Sequence, residues 1–151
     1  KIHKENINDL VFEDLNGKTV DFFSIDTDGN DYWLLKNLNL EKINVICCEY
    51  NHWIGKNVKR TIPYNLNHQY KYDYYGGASL LAMHDLLESK GFDLVAIDSS
   101  GTNAFFVKKE FSNLFEVLSP LKSWKSSNRF VTSEQAEKIK NSIKNFDFVD
   151  L

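Results

Sequence analysis

Two polar clusters hold the residues best suited to chemistry: Asp26-Thr27-Asp28-Gly29-Asn30-Asp31 and Glu49-Tyr50-Asn51-His52. Each directly follows a short apolar run, so a carboxylate stands where burial would be costly without a partner. The first cluster has the look of a calcium loop and fails as one. Its glycine is fourth rather than sixth, and the twelfth position is Asn37 where a bidentate Glu is needed. Asp26-Thr27-Asp28 also matches the Asp-x-Asp pattern that holds a divalent metal in sugar-nucleotide transfer, a common pattern by itself. Asp28 or Asn30 would serve as a helix cap. If the two runs lie side by side, Asp26, Glu49 and Asn51 line one cleft. One carboxylate then serves as general base toward a hydroxyl, or the pair grips a metal or an amine. The plainer alternative is that they bond loop N–H groups and Tyr hydroxyls.

His52 follows the second cluster and is a candidate base, whereas His84 reads as surface or packing and His3 and His68 carry no context. No histidine pair has zinc-ligand spacing with a third ligand nearby. A serine nucleophile elbow and a phosphate loop are both absent from the sequence. Lys56, Lys59 and Arg60 form a basic patch, either a solvated loop face or a contact for an anionic substrate. Cys47 and Cys48 are neighbours in an apolar run, too close for an unstrained disulfide, and read as small buried fillers in a reducing, cytoplasmic compartment.

The elements that must position these groups follow from periodicity. Ile7, Leu10, Val11 and Leu15 predict a helix over 2–15, stopped by Asn16-Gly17. Residues 20–26 and 43–48 predict two buried strands covered on both faces. Tyr32, Leu35 and Leu38 mark a helix between them. The stretch 53–75 is a long aromatic loop with Pro63 and no period, a length usually reserved for lids or binding loops. Helix returns over 78–90, and 92–97 and 103–107 predict an antiparallel hairpin. A turn or two of helix over 111–118 and a capping box at Thr132-Ser133-Glu134-Gln135, opening a helix to about residue 145, complete the chain. This alternation predicts an α/β fold: a parallel sheet with helices on its faces, finished by the hairpin. In such sheets ligands gather beyond the carboxyl ends of the strands, where both polar clusters fall.

At 151 residues, with 42% hydrophobic and 26% charged side chains, the chain suits one globular domain and neither disorder nor a fibre. A net charge of -3 gives no general field for nucleic acid, and no apolar run is long enough to span a membrane. No leader peptide is visible, and a first residue of Lys1 rather than Met reads as a start part-way through a longer product.

The segments DFFSIDTDGNDYWLLKNL (21–38), VICCEYN (45–51), IPYN (62–65) and YYGGASLLAMHDLLESKGFDLVAIDSSGTNAFFV (74–107), taken in order, resemble the C-terminal half of FkbM-type S-adenosylmethionine-dependent methyltransferases. The resemblance implies a partial Rossmann-like class I methyltransferase sheet, strands four to seven. Residues 1–110 would form this half-domain and 111–151 a helical C-terminal extension packed on it. It implies methyl transfer from S-adenosylmethionine to a hydroxyl of a glycan or small metabolite, with no nucleic acid or membrane partner. The Gly-rich donor loop of such enzymes has no counterpart here, so the upstream half is missing or comes from another chain. By position, the resemblance makes Asp26, Glu49 and Asn51 catalytic and Asp26, Asp28 and Asn30 donor-binding. His52, Tyr75, Gly76 and Ser79 would bind acceptor, with Tyr64, Tyr70, Tyr72, Tyr74 and Tyr75 along its side and no resident metal. In some related O-methyltransferases carboxylates and an amide at these strand ends bind magnesium, a role open to Asp26, Glu49 and Asn51. The alternatives are a non-catalytic carbohydrate-binding or interaction module that has lost the donor site, and a metal-dependent glycosyltransferase using Asp26 and Asp28.

Overall fold

The computed structural model describes residues 18–126 and 131–151; the helix expected over 2–15 lies outside them. Strand β1 (Val20–Ile25) leads through the first polar cluster into helix α1 (Asp31–Asn37), and β2 (Ile43–Glu49) follows. A short strand β3 (Arg60–Thr61) interrupts the long loop before helix α2 (Leu80–Ser89). The hairpin is β4 (Phe92–Ile97) and β5 (Asn103–Lys108). A four-residue helix α3 (Pro120–Ser123), helix α4 (Ser133–Ile143) and strand β6 (Val149–Asp150) close the chain.

The main sheet runs β1-β2-β5-β4. β1 and β2 are parallel, and β5 is antiparallel to both β2 and β4. The sheet is therefore mixed: the second strand of the hairpin inserts beside β2, and the first takes the outer edge. Ile25, Ile46, Cys48, Leu94 and Phe106 alternate onto one face and join Leu35 of α1 and Leu80, Met83 and Leu87 of α2 in the core. Truncating one of these buried leucines to Ala costs about 2–5 kcal/mol.

β2 buries Ile43, Ile46, Cys47 and Cys48 but leaves Asn44 and Val45 partly exposed, so its cover is less complete than its apolar run predicts, and Cys47 and Cys48 are free thiols. Burial pushes both thiols up, Cys48 the further. β1 departs from the expectation. It is an edge strand whose Phe22 is 55% exposed, because α1 and α2 pack against the opposite face.

Helix ends follow local chemistry. Ser79 caps α2 by accepting from the Ala82 N–H, and Gly91 with φ +90 permits the exit. The expected capping box on α4 is present, with Thr132 and Gln135 bonding each other's backbone. Residues 109–114 form a 3₁₀ helix where one or two helical turns are expected. The C-terminal tail returns to the long loop: β6 pairs with β3, and the Tyr75 hydroxyl donates to the Asp147 carbonyl at 2.7 Å. Among the described residues, no helix is long and apolar enough to cross a membrane.

Candidate active site

The parallel register sets Ile25 beside Cys48, so the chain leaves β1 and β2 side by side, at Asp26 and Glu49. Beyond Ile25 the chain turns on Asp31, which opens α1 and is 1% exposed. Its carboxylate accepts from the Thr27 N–H at 2.8 Å, the Thr27 hydroxyl at 3.0 Å and the Gly29 N–H at 3.2 Å. Burial raises its pKa while these donors oppose the rise. The turn drives Asp28 into the left-handed region at φ 56, an unusual place for a side chain larger than glycine.

Neither Asp28 nor Asn30 makes the expected cap. Asn30 stands at the N-cap of α1 with no side-chain cap bond. It instead clamps the long loop, donating to the Asn65 carbonyl at 2.8 Å and accepting from the Asn65 N–H at 3.2 Å. The loop packs closely here. A Cβ on Gly76 would stand 2.6 Å from the Asp28 carbonyl oxygen, and one on Gly29 would meet the His68 ring.

Asp26, Asp28 and Glu49 bring their carboxylate oxygens within 4.8 Å of one another. Glu49 is half-buried, and its pKa is pushed up to about 7, first by burial and then by the charges of Asp26, Asp31 and Asp28. It stands on the wall of an open cavity of about 260 Å³, with Asp28, Asn51, His52 and Gly76. The aromatic wall is Tyr50, Trp53, Tyr70 and Tyr74, with Thr102 and Val131 completing the lining. Burial lowers the His52 pKa to about 4, which leaves the imidazole neutral at ordinary pH.

Asn51 organises this wall. Its amide donates at 2.9 Å to the carbonyls of both Tyr74 and Gly76 and accepts from the Trp53 N–H at 2.9 Å. Tyr74 has φ 66, a strained conformation for so bulky a residue, and its ring meets Trp53 edge-on at 5.4 Å. One side chain thus fixes two rings of the cavity.

Residues 1–94 match the methyltransferase FkbM domain. The chain belongs to the FkbM methyltransferase family. No curated protein and no solved structure matches it.

Within this FkbM chain the structure gathers Asp28, Glu49, Asn51, His52 and Gly76 on one cavity, with Asp26 in the adjoining carboxylate cluster. It does not bring the other expected site residues there. Asn30 is turned to Asn65, and Ser79 is fully buried, donating to the Val58 carbonyl at 2.7 Å. Tyr75 stacks between His68 and the tail residues Phe146 and Phe148. Of the loop tyrosines, Tyr70 and Tyr74 line the cavity, whereas Tyr64 and Tyr72 are 52% and 86% exposed. Sequence reasoning missed Trp53, Thr102 and Val131. Trp53 adjoins His52 and was within reach of a local reading. Thr102 arrives only because β5 inserts beside β2, where its carbonyl accepts from the Tyr50 N–H at 2.8 Å. Asn103 serves its turn, donating to Asp98 at 3.1 Å.

Proposed function

We propose that this chain is the acceptor-side half of an S-adenosylmethionine-dependent O-methyltransferase acting on a hydroxyl of a glycan or small metabolite. One observation carries the reading: in an FkbM-family chain, a carboxyl poised at about 7 lines an aromatic-walled cavity at the carboxyl ends of two parallel strands. The parallel β1–β2 pair and the antiparallel β4–β5 hairpin are what strands four to seven of a Rossmann-like class I sheet require. Among the described residues β1 pairs only with β2, so its other edge is open to strands of an upstream half.

The donor's sulfonium end fits the residues present, since the three clustered carboxylates make a negative rim for a cation. Asp26 and Asp28 would face it. The Gly-rich turn for its nucleoside is not among the described residues, and the upstream half would supply that part. When bound, S-adenosylmethionine provides an electrophilic methyl group.

The chain's own residues do the rest. Glu49 takes the proton from the acceptor hydroxyl, and its pKa near working pH suits a general base. The rings of Trp53, Tyr70 and Tyr74 offer apolar faces to a sugar, which fixes the hydroxyl near Glu49. Asn51 positions the rings, and His52 stays neutral in the wall. The buried free thiols support a reducing, cytoplasmic setting.

The test uses the full-length polypeptide carrying this chain, supplied with S-adenosylmethionine and a panel of saccharides. The expected result is S-adenosylhomocysteine release that falls about 10²-fold or more in Glu49→Gln. Saccharide binding with no release, and no heat on titration with S-adenosylhomocysteine, would leave a binding module in place of the enzyme.

A further inference from the structure

Behind the wall formed by His52 and Trp53 lies a second, larger open cavity of about 820 Å³, bounded by residues 52–56, α4 and the C-terminal tail. His52 and Trp53 line both spaces, so the two share one partition. Their chemistry is opposite. The first presents Asp28 and Glu49, whereas the second presents Lys56, Arg60, Lys140 and Lys144 against Glu137 and Asp147. This is a local excess of positive charge in a chain whose net charge is -3.

The cations are not all consumed within the fold. Arg60 is held by Asp150, and the Lys144 ammonium donates to the Asn141 side chain at 3.0 Å. Lys56 and Lys140 have no acidic partner among the described residues. Lys59, their neighbour in sequence, turns away to an ion pair with Asp85. The fold thus divides the basic patch, keeping Lys56 and Arg60 on the cavity. Aromatic surface is also present, from Trp53, Trp124 and Phe146. The volume lies within the range of small-molecule sites.

We infer that this second cavity binds the anionic substituent, carboxylate or phosphate, of a saccharide that spans the His52–Trp53 partition and presents a hydroxyl of another of its sugar units to Glu49. The inference rests on the methyltransferase reading for what happens at Glu49, but not for the binding itself. Separation of charge gives the cleft a polarity. An acidic saccharide is drawn to the lysine end and repelled from the carboxylate end, so it enters in one orientation.

The test is a tryptophan-fluorescence titration of the full-length protein with three probes: a glucuronate-terminated trisaccharide, glucose 6-phosphate and neutral maltotriose. The expected result is at least tenfold tighter binding of one anionic probe than of maltotriose, with the difference shrinking in high salt. Which anion wins identifies the substituent. The double variant Lys56→Gln/Lys140→Gln should lose this preference while keeping its Tm, because both side chains are exposed. Equal affinity for all three probes, or a preference that survives the double variant, overturns the inference. Donor turnover is measured separately. Methyl transfer without charge selectivity removes the anion site alone, and charge-selective binding with no methyl transfer to any saccharide removes the methyltransferase reading alone.

Discussion

Replacing Glu49 by Gln should make the folded chain more stable in alkaline solution while it removes the proposed base. The Glu49 carboxyl titrates at an ordinary 4.5 when unfolded and at about 7 in the fold, because burial and then Asp26, Asp31 and Asp28 disfavour its charge. Below pH 4.5 the carboxyl is neutral in both states and costs nothing. Between 4.5 and 7 the folded state holds a proton that the unfolded chain has released, so stability falls as pH rises. Above 7 the loss is complete. At 1.36 kcal/mol per pH unit it amounts to roughly 3 kcal/mol. A glutamine of the same shape is never charged and escapes this loss. Urea denaturation of both proteins at pH 4 and pH 8 is the assay. The variant should match wild type at pH 4 and exceed it by about 2–4 kcal/mol at pH 8, with turnover reduced about 10²-fold or more. A variant less stable at pH 8, or one equally stabilised at both pH values, would refute the argument, because the effect would then owe nothing to ionisation.

The opposite pH dependence belongs to His52, whose pKa falls from 6.5 to about 4 by burial. As pH drops through this window the unfolded chain takes up a proton that the folded one refuses, so roughly 3 kcal/mol of stability is lost by about pH 4, and His52→Phe should flatten that acid limb in thermal melts. Asn51→Ala removes three side-chain hydrogen bonds and should cost about 2–3 kcal/mol in denaturation. Its second signature is a loss of kcat/KM on the order of 10²-fold as Tyr74 and Trp53 lose their setting. Gly76→Ala forces a methyl group against the Asp28 carbonyl and should destabilise by about 1–3 kcal/mol, with a shift in the Asp28 backbone resonances. An unchanged melt would show that the loop moves aside freely.

Local pattern carried most of the scaffold. The strands, α1, α2 and the capping box on α4 follow period and capping chemistry within a few residues, because each element is specified by its own side chains. The placement of Asp26 and Glu49 at adjacent strand ends was legible for the same reason: an apolar run that stops at a carboxylate marks where the sheet meets solvent. What local sequence did not reveal depends on distant partners. The exposure of Phe22 follows from an edge position in the sheet. Thr102 reaches the cavity through the inversion of hairpin order beside β2. Ser79 and Tyr75 are one turn from the cleft in sequence, yet the first is consumed by capping α2 and the second by the returning tail. Neither the tail pairing of β6 with β3 nor the choice of Lys56 over Lys59 to face the second cavity has a local signal.

Costs to folding concentrate at one place. Asp26, Asp28 and Glu49 repel one another, the Asp31 carboxyl is buried, and Asp28 and Tyr74 occupy left-handed backbone where glycine would be at ease. Elsewhere, α2 and α4 carry side-chain caps and the core is apolar. Hydrogen bonds to Asp31 and from Asn51 hold the strained segments in place, which would be an odd investment for a loop of no consequence. Strain of this kind persists where surrounding structure over-determines it, and its clustering here is in keeping with the proposed site. The clustering also explains why loosening Asn51 should harm turnover as well as stability. The clamp does not hold the sheet together; it sets the backbone that carries the Trp53 and Tyr74 rings.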